Sequence, residues 1–165
     1  YYERNGEEIG FVISVMAGEQ DRIDIAQAAA QQLRDVGIHC TVDIPAKMDW
    51  GGQQACLIGW GSPFDADDHT YKVFGTDKGA NYSGYSNAEV DEALTHARES
   101  SDSAVRKQYY DEFQVALAND PAYAFICYID ANYVATSRLH GIDAETVMGH
   151  HGVGIFWNVE TWTLD

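Results

Sequence analysis

The densest cluster of side chains that could do chemistry lies in residues 59–71, which read GWGSPFDADDHTY. Its aromatic rings could form flat apolar walls, and its carboxylates could accept hydrogen bonds from a cationic ligand group or bind a metal ion. The cluster follows an apolar stretch, and ligands of open α/β sheets bind beyond the ends of the strands. A structural role is the alternative, in which one Asp caps a turn or short helix and the others are solvated. The predicted ligand-contacting residues are Trp60, Ser62, Asp65, Asp68, His69 and Tyr71.

The same residues could also bind a metal ion or take part in catalysis. Asp65, Asp67, Asp68 and His69 lie close together, and the pair at 150–151 adds two imidazoles. The sequence has no HExxH motif and no EF-hand spacing, so histidines at the surface or in turns are the favoured interpretation. It also lacks a GxSxG elbow, a P-loop and a GxGxxG motif. We therefore predict no catalytic residues, no resident metal and no cofactor, and keep a metal-dependent hydrolase as an alternative.

The elements that must position this cluster begin with a predicted βαβ unit. Residues 9–16 and 38–44 are β-branched, apolar runs typical of strands. Between them we predict a helix from an Asp21 N-cap to about Val36, with a stop at Gly37 and an apolar face listed as Ile25, Ala29, Leu33 and Val36. A parallel pair and an α/β domain follow.

The strand predicted at 54–60 follows a connection too short for a crossover helix. It should pair antiparallel or lie elsewhere in the sheet. Residues 61–85 have little periodicity and are predicted to be a long functional loop.

Two helices and two strands are predicted in the second half. A capping box of Ser86 and Glu89 begins the first helix, and Ser101 or Asp102 caps the second, which ends before Pro121. Residues 122–129 and 131–136 have the composition of strands. We predict one domain over residues 1–165.

Composition narrows the classes of function. Lys and Arg total 10 against 26 Asp and Glu, a net charge of −16, which excludes a nucleic-acid backbone as partner and disfavours an anionic membrane surface. No apolar run approaches the roughly 18 residues of a transmembrane helix. The start lacks an initiator Met and a signal sequence, as expected of a mature protein or an excised fragment. Three cysteines in apolar runs are interpreted as buried thiols, with a disulfide as the alternative.

An ordered series of blocks resembles the extracellular solute-binding proteins of family 5, the peptide/nickel type. Residues 21–42 resemble a family segment that reads roughly IAQALQQQLKKIGIDV. LIGWG, YSGYSNAEVDEALTHA and VRKQYYDEFQVALANDPAY then match later family blocks in the same order. The resemblance covers nearly the whole chain. It implies a periplasmic-binding-protein-like α/β lobe with a mixed sheet flanked by helices, here the C-terminal, second lobe of a two-lobed protein.

The resemblance also implies the function. Such a protein is not an enzyme: it binds oligopeptides or dipeptides in an interlobe cleft and delivers them to the permease subunits of an ABC importer. It works outside the cytoplasm, in the periplasm or at the outer face of the cell membrane. Whether the parent is a lipoprotein stays open.

Two departures from the family pattern bear on topology and ligand. The family's helix before the GWG strand is missing, and residues 48–52 (MDWGG) stand in its place. Where peptide-binding members carry an acid that pairs with the peptide ammonium, this chain has Pro63, although Asp65 could serve. The string GSPFD also resembles the GAPYDPH of nickel-type members, so a nickel chelate is the alternative ligand. A lobe that has lost its ligand and become an interaction domain is a third possibility.

Overall fold

The computed structural model describes residues 1–61, 65–130, 132–142 and 154–165. Contacts within the chain divide it into a first unit, Tyr1–Gly59, and a second unit, Trp60–Asp165. The assignment of residues 1–165 to one domain stays a prediction. Among the described helices, none combines the length and apolar character needed to cross a bilayer.

The first unit is built on a parallel sheet of three strands. Strands β1 (Glu3–Arg4) and β2 (Glu7–Glu8) form a hairpin, and β3 (Gly10–Ser14), β4 (His39–Asp43) and β5 (Ala55–Cys56) form the sheet in the order β4-β3-β5. Both β4 and β5 run parallel to β3. The predicted βαβ unit and α/β class are confirmed. The strand predicted at 54–60 corresponds to β5, which lies beside β3 on the side opposite β4. The alternative of antiparallel pairing is wrong.

Helix α1 (Gln20–Asp35) connects β3 to β4 and differs in detail from its prediction. Its N-cap position is Glu19, without a side-chain cap, so Asp21 lies in the first turn. The buried residues are Ile23, Ala26 and Ala30, and Val36 is exposed, so the predicted apolar face is rotated. The alanines allow close packing on the sheet, where Val15, Ile13 and Val42 complete the core. Gly37 ends the helix at a φ of +89°, as predicted.

The connection from β4 to β5, residues 44–54, contains no helix. The absence of a helix agrees with the departure from the family pattern at residues 48–52. Parallel strands usually need a helical crossover, but here the chain crosses β3 in a short irregular segment. Gln54 fixes the crossing, since its Oε1 accepts a hydrogen bond from the backbone N–H of Val12 at 2.9 Å.

The second unit has three described α-helices and one small sheet. They are α2 (Ala66–Phe74), α3 (Ala88–Glu99) and α4 (Ser103–Asn119), followed by β6 (Leu139–His140), 3-10 turns over Gly154–Thr161, and β7 (Thr163–Leu164) antiparallel to β6. Helices α3 and α4 pack together around a core listed as Val90, Ala93, Leu94, Phe113, Ala116 and Leu117. Helix α2 lies within the predicted long loop, which was therefore wrong for residues 66–74.

Capping explains where α3 and α4 begin. Asn87, not Ser86, caps α3, because its Oδ1 accepts from the backbone N–H groups of Glu89 and Val90 at 2.9 and 3.2 Å. The Ser86 hydroxyl instead accepts a hydrogen bond from Thr76. Asp102 caps α4, as one of the two predicted alternatives.

Two further predictions in this half are wrong for the described residues. Residues 122–129 form no strand, and neither do residues 132–136, while position 131 lies outside the described part.

All three thiols are free, so the disulfide is not formed. Only Cys40 is buried, so the prediction of three buried thiols is wrong for Cys56, which is partly buried, and for Cys127, which is exposed. Burial raises the pKa of the Cys40 and Cys56 thiols.

Candidate functional site

The Asp65 carboxylate begins α2 and joins it to α4. It caps the helix by accepting from the backbone N–H of Asp67 at 2.9 Å. Arg106 binds both carboxylate oxygens, with Nη1 at 2.9 Å from Oδ2 and Nη2 at 2.6 Å from Oδ1. The hydrogen bonds from Arg106, then that from Asp67, lower the pKa of Asp65 to about 2. A carboxylate ionised at neutral pH is an electrostatic and structural group, not a proton donor.

Trp60 lies between His69 of α2 and Tyr82 of the following loop. The Trp60 and Tyr82 rings are stacked, 6.1 Å apart with planes 14° from parallel, and the His69 ring is tilted at 5.7 Å. The Nε1 of Trp60 and the Nδ1 of His69 are buried and have no hydrogen-bond partner among the described residues. Unpaired buried polar atoms cost roughly 1–3 kcal/mol each, so both would gain from a ligand group. We call Trp60, His69 and Tyr82 the aromatic wall.

Asp68 lies in the first turn of α2, where a carboxylate is favourable to the helix dipole. Its Oδ1 accepts a hydrogen bond from Lys72 at 3.0 Å, which lowers the pKa of Asp68. Its Oδ2 is 3.9 Å from the Nε2 of His69, too far for a hydrogen bond. Asp68 is thus already partly neutralised by its own helix.

Tyr71, also on α2, is covered by cations. The Arg98 guanidinium lies 3.9 Å from the ring centre and the Lys78 ammonium 4.8 Å, both in the range of cation–π attraction. Lys78 and, to a lesser extent, Arg98 lower the pKa of the Tyr71 hydroxyl. Arg98 also pairs with Asp67 at 3.0 Å, so it ties α3 to α2.

Asn81 organises the loop that carries Tyr82. Its Nδ2 donates to the carbonyls of Gly75 and Tyr85 at 3.0 and 2.7 Å, and its Oδ1 accepts from the N–H of Tyr85 at 3.0 Å and the hydroxyl of Ser83 at 3.1 Å. Sequence reasoning missed Asn81, Tyr82, Arg98 and Arg106. The run NYSGYSN, rich in turn-forming residues, was the signal for Asn81.

The predicted site residues are therefore brought together only in part. Trp60 and His69 are in contact, whereas Asp65, Asp68 and Tyr71 lie on the same helix with cationic partners of their own. Ser62 lies outside the described residues, as do Pro63 and the histidines at 150–151. Within the described chain, no three His, Cys, Asp or Glu side chains are grouped to hold a metal.

Comparison with known proteins places this geometry among solute-binding proteins. No family model matches the chain. NikZ from Campylobacter jejuni, solved in complex with Ni(L-His), superposes with a TM-score of 0.80 and 36% identity over 98% of this chain. The chain belongs to the family 5 solute-binding proteins.

Other similar proteins support this assignment. AppA from Bacillus subtilis, an oligopeptide-binding protein solved with a nonapeptide, superposes with a TM-score of 0.70 and 27% identity over 99% of this chain. Protein XP55 from Streptomyces lividans is 33% identical over 86% of the chain. The chain spans about a third of these proteins, from 28% of XP55 to 34% of NikZ. The resemblance and the lobe-type α/β fold are confirmed.

Proposed function

We propose that the chain is the C-terminal lobe of a two-lobed substrate-binding protein that delivers its ligand to the permease subunits of an ABC importer. The observation that carries the proposal is the match to NikZ and AppA over 98–99% of this chain, at about a third of their length. The protein then acts outside the cytoplasm, as a binding protein and not an enzyme.

The ligand proposed first is a peptide. AppA, an oligopeptide-binding protein, matches the chain in sequence and in structure. The stacked rings of Trp60 and Tyr82 suit a peptide backbone or an apolar side chain, and the unpaired N–H of Trp60 suits a carbonyl. Asp65 would accept a peptide ammonium only by sharing its carboxylate with Arg106.

A nickel chelate is the second candidate, favoured by the higher identity and TM-score with NikZ. In that case the unpaired Nδ1 of His69 is the imidazole nitrogen available to the ligand. The hydrolase alternative has no support in the described residues, because no three His, Cys, Asp or Glu side chains are grouped to hold a metal ion, and Asp65 and Asp68 are already paired with Arg106 and Lys72.

Calorimetric titration of the two-lobed parent tests the proposal. A synthetic peptide library and Ni²⁺ with L-histidine are the two probes. Trp60→Ala should weaken binding of the active probe at least about tenfold, because it removes the central ring of the wall. Trp157→Ala, a partly exposed tryptophan outside the wall, is the matched control and should bind like wild type. Loss of binding in neither variant, or no binding of either probe to the parent, contradicts the proposal.

A further inference from the structure

A largely apolar segment follows α4 and has the composition of a buried strand. We define the apolar segment as residues 124–130 and 132–134, which read AFICYID and NYV. Amphipathic strands alternate apolar and polar residues, whereas strands covered on both faces are apolar at successive positions. The run from 124 to 129 has no polar residue that would mark a solvent face. Its pattern indicates a strand that is buried on both sides.

The structure leaves this segment uncovered. Every described residue from 124 to 138 is exposed. Tyr128 and Val134 are 102% and 100% exposed, and Phe125, Ile126 and Ile129 exceed half exposure. At the start of the segment, the ring of Phe125 lies 6.5 Å from that of Phe74, which packs against the α3–α4 core. Contiguous exposed apolar surface of this kind marks a site of contact with another chain or segment.

The backbone is equally unpaired. Between residues 124 and 134, no backbone N–H or C=O forms a backbone hydrogen bond with another described residue. The described side chains add one weak bond, from Asn132 to the carbonyl of Asp130 at 3.5 Å. A run of backbone with free donors and acceptors can add to a sheet as a further strand. Side chains and backbone therefore require the same kind of partner.

We infer that the apolar segment is a β-strand of a sheet whose other strands lie in the part of the parent polypeptide outside residues 1–165. The inference rests on the proposed two-lobed parent. NikZ and AppA match nearly all of this chain and contain about twice as much sequence again. A second copy of this chain is a poorer partner, because each copy carries a net charge of −16 and the two would repel.

Cys127, at the centre of the segment, provides the test. In the reduced parent protein, maleimide labelling of each thiol is followed by peptide mass spectrometry. If the segment is covered, Cys127 should react at least about a hundredfold more slowly than in the urea-unfolded parent, because labelling then requires local opening. Cys40, fully buried in the first unit, is the internal standard for a folded protein. Rapid labelling of Cys127 while Cys40 stays protected would overturn the inference.

A second measurement separates the possible partners. Sedimentation of the parent should give a monomer with Cys127 protected, whereas protection only in a dimer would assign the segment to a second copy and overturn the inference. Tyr128→Lys should lower the melting temperature of the parent, and Val115→Lys, on an exposed position of α4, should not. The labelling experiment uses no ligand. If the parent fails to bind peptide or nickel, the proposed function fails, but the labelling result for Cys127 is unaffected.

Discussion

Replacement of Asn81 by alanine should unfold the loop that supports the aromatic wall. The substitution removes three hydrogen bonds to backbone groups of Gly75 and Tyr85, and one to the exposed Ser83 hydroxyl. A net value of about 0.5–1.5 kcal/mol applies to each backbone bond. Because the site is only partly buried, water can replace some of them, and we expect a loss of roughly 2 kcal/mol in the free energy of unfolding.

Urea denaturation followed by far-UV circular dichroism measures this loss. Near-UV dichroism should also change, since Tyr82 would no longer be held against Trp60. Asn119→Ala is the control, because Asn119 is an exposed residue at the end of α4 whose side chain forms no hydrogen bond with another described residue. It should change stability by less than about 0.5 kcal/mol. If Asn81→Ala is as mild as the control, the loop is not held by this side chain.

Three other predictions follow from the second unit and the overall charge. Arg106→Gln should raise the pKa of Asp65 from about 2 toward 3.8, measured by carbon NMR of the carboxyl group; an unchanged midpoint would mean that Arg106 is not its main partner. The pKa of Asp65 is lower in the folded protein than in the unfolded chain. The pair of Asp65 with Arg106 therefore stabilises the protein fully above about pH 4, and this stabilisation is lost as the pH falls toward 2. Gly75→Ala should lower the free energy of unfolding by roughly 1–3 kcal/mol in urea denaturation, since the new Cβ would lie 2.6 Å from the carbonyl oxygen of Tyr71. Gly79→Ala is the control and should be neutral, because a Cβ there meets nothing within 4 Å. Equal effects of the two substitutions would refute the steric reason. The urea midpoint should rise with NaCl between about 0.05 and 1 M, because screening relieves repulsion at a net charge of −16; a falling midpoint would mean that ion pairs dominate.

The βαβ unit was predictable because its pattern is local and strong. Two β-branched apolar runs flank a helical stretch, and Gly37 marks the end of α1, although the buried face of that helix was predicted wrongly. Cap positions were less certain, since Ser and Asn are similarly good N-caps. The choice of Asn87 over Ser86 accompanies contacts with Asp120 and Thr76, which are distant in sequence.

The candidate site was predictable in composition but not in pairing. The density of acids and aromatics singled out residues 59–71, yet nothing local indicates that Asp65 pairs with a residue 41 positions away in α4. Helix α2 was missed because it has nine residues, four consecutive polar ones near its start, and one fully buried side chain. The strand predicted at 122–129 has strand composition but no strand partner in the described chain.

Native mass spectrometry of the two-lobed parent as purified, compared with its denatured mass, tests the binding-protein assignment most directly. We expect a bound mass that is released on denaturation and fragments into amino acids. A nickel isotope pattern with histidine would instead support the second ligand. Identical native and denatured masses, together with no binding of the peptide library or of Ni²⁺ with L-histidine, would contradict the assignment.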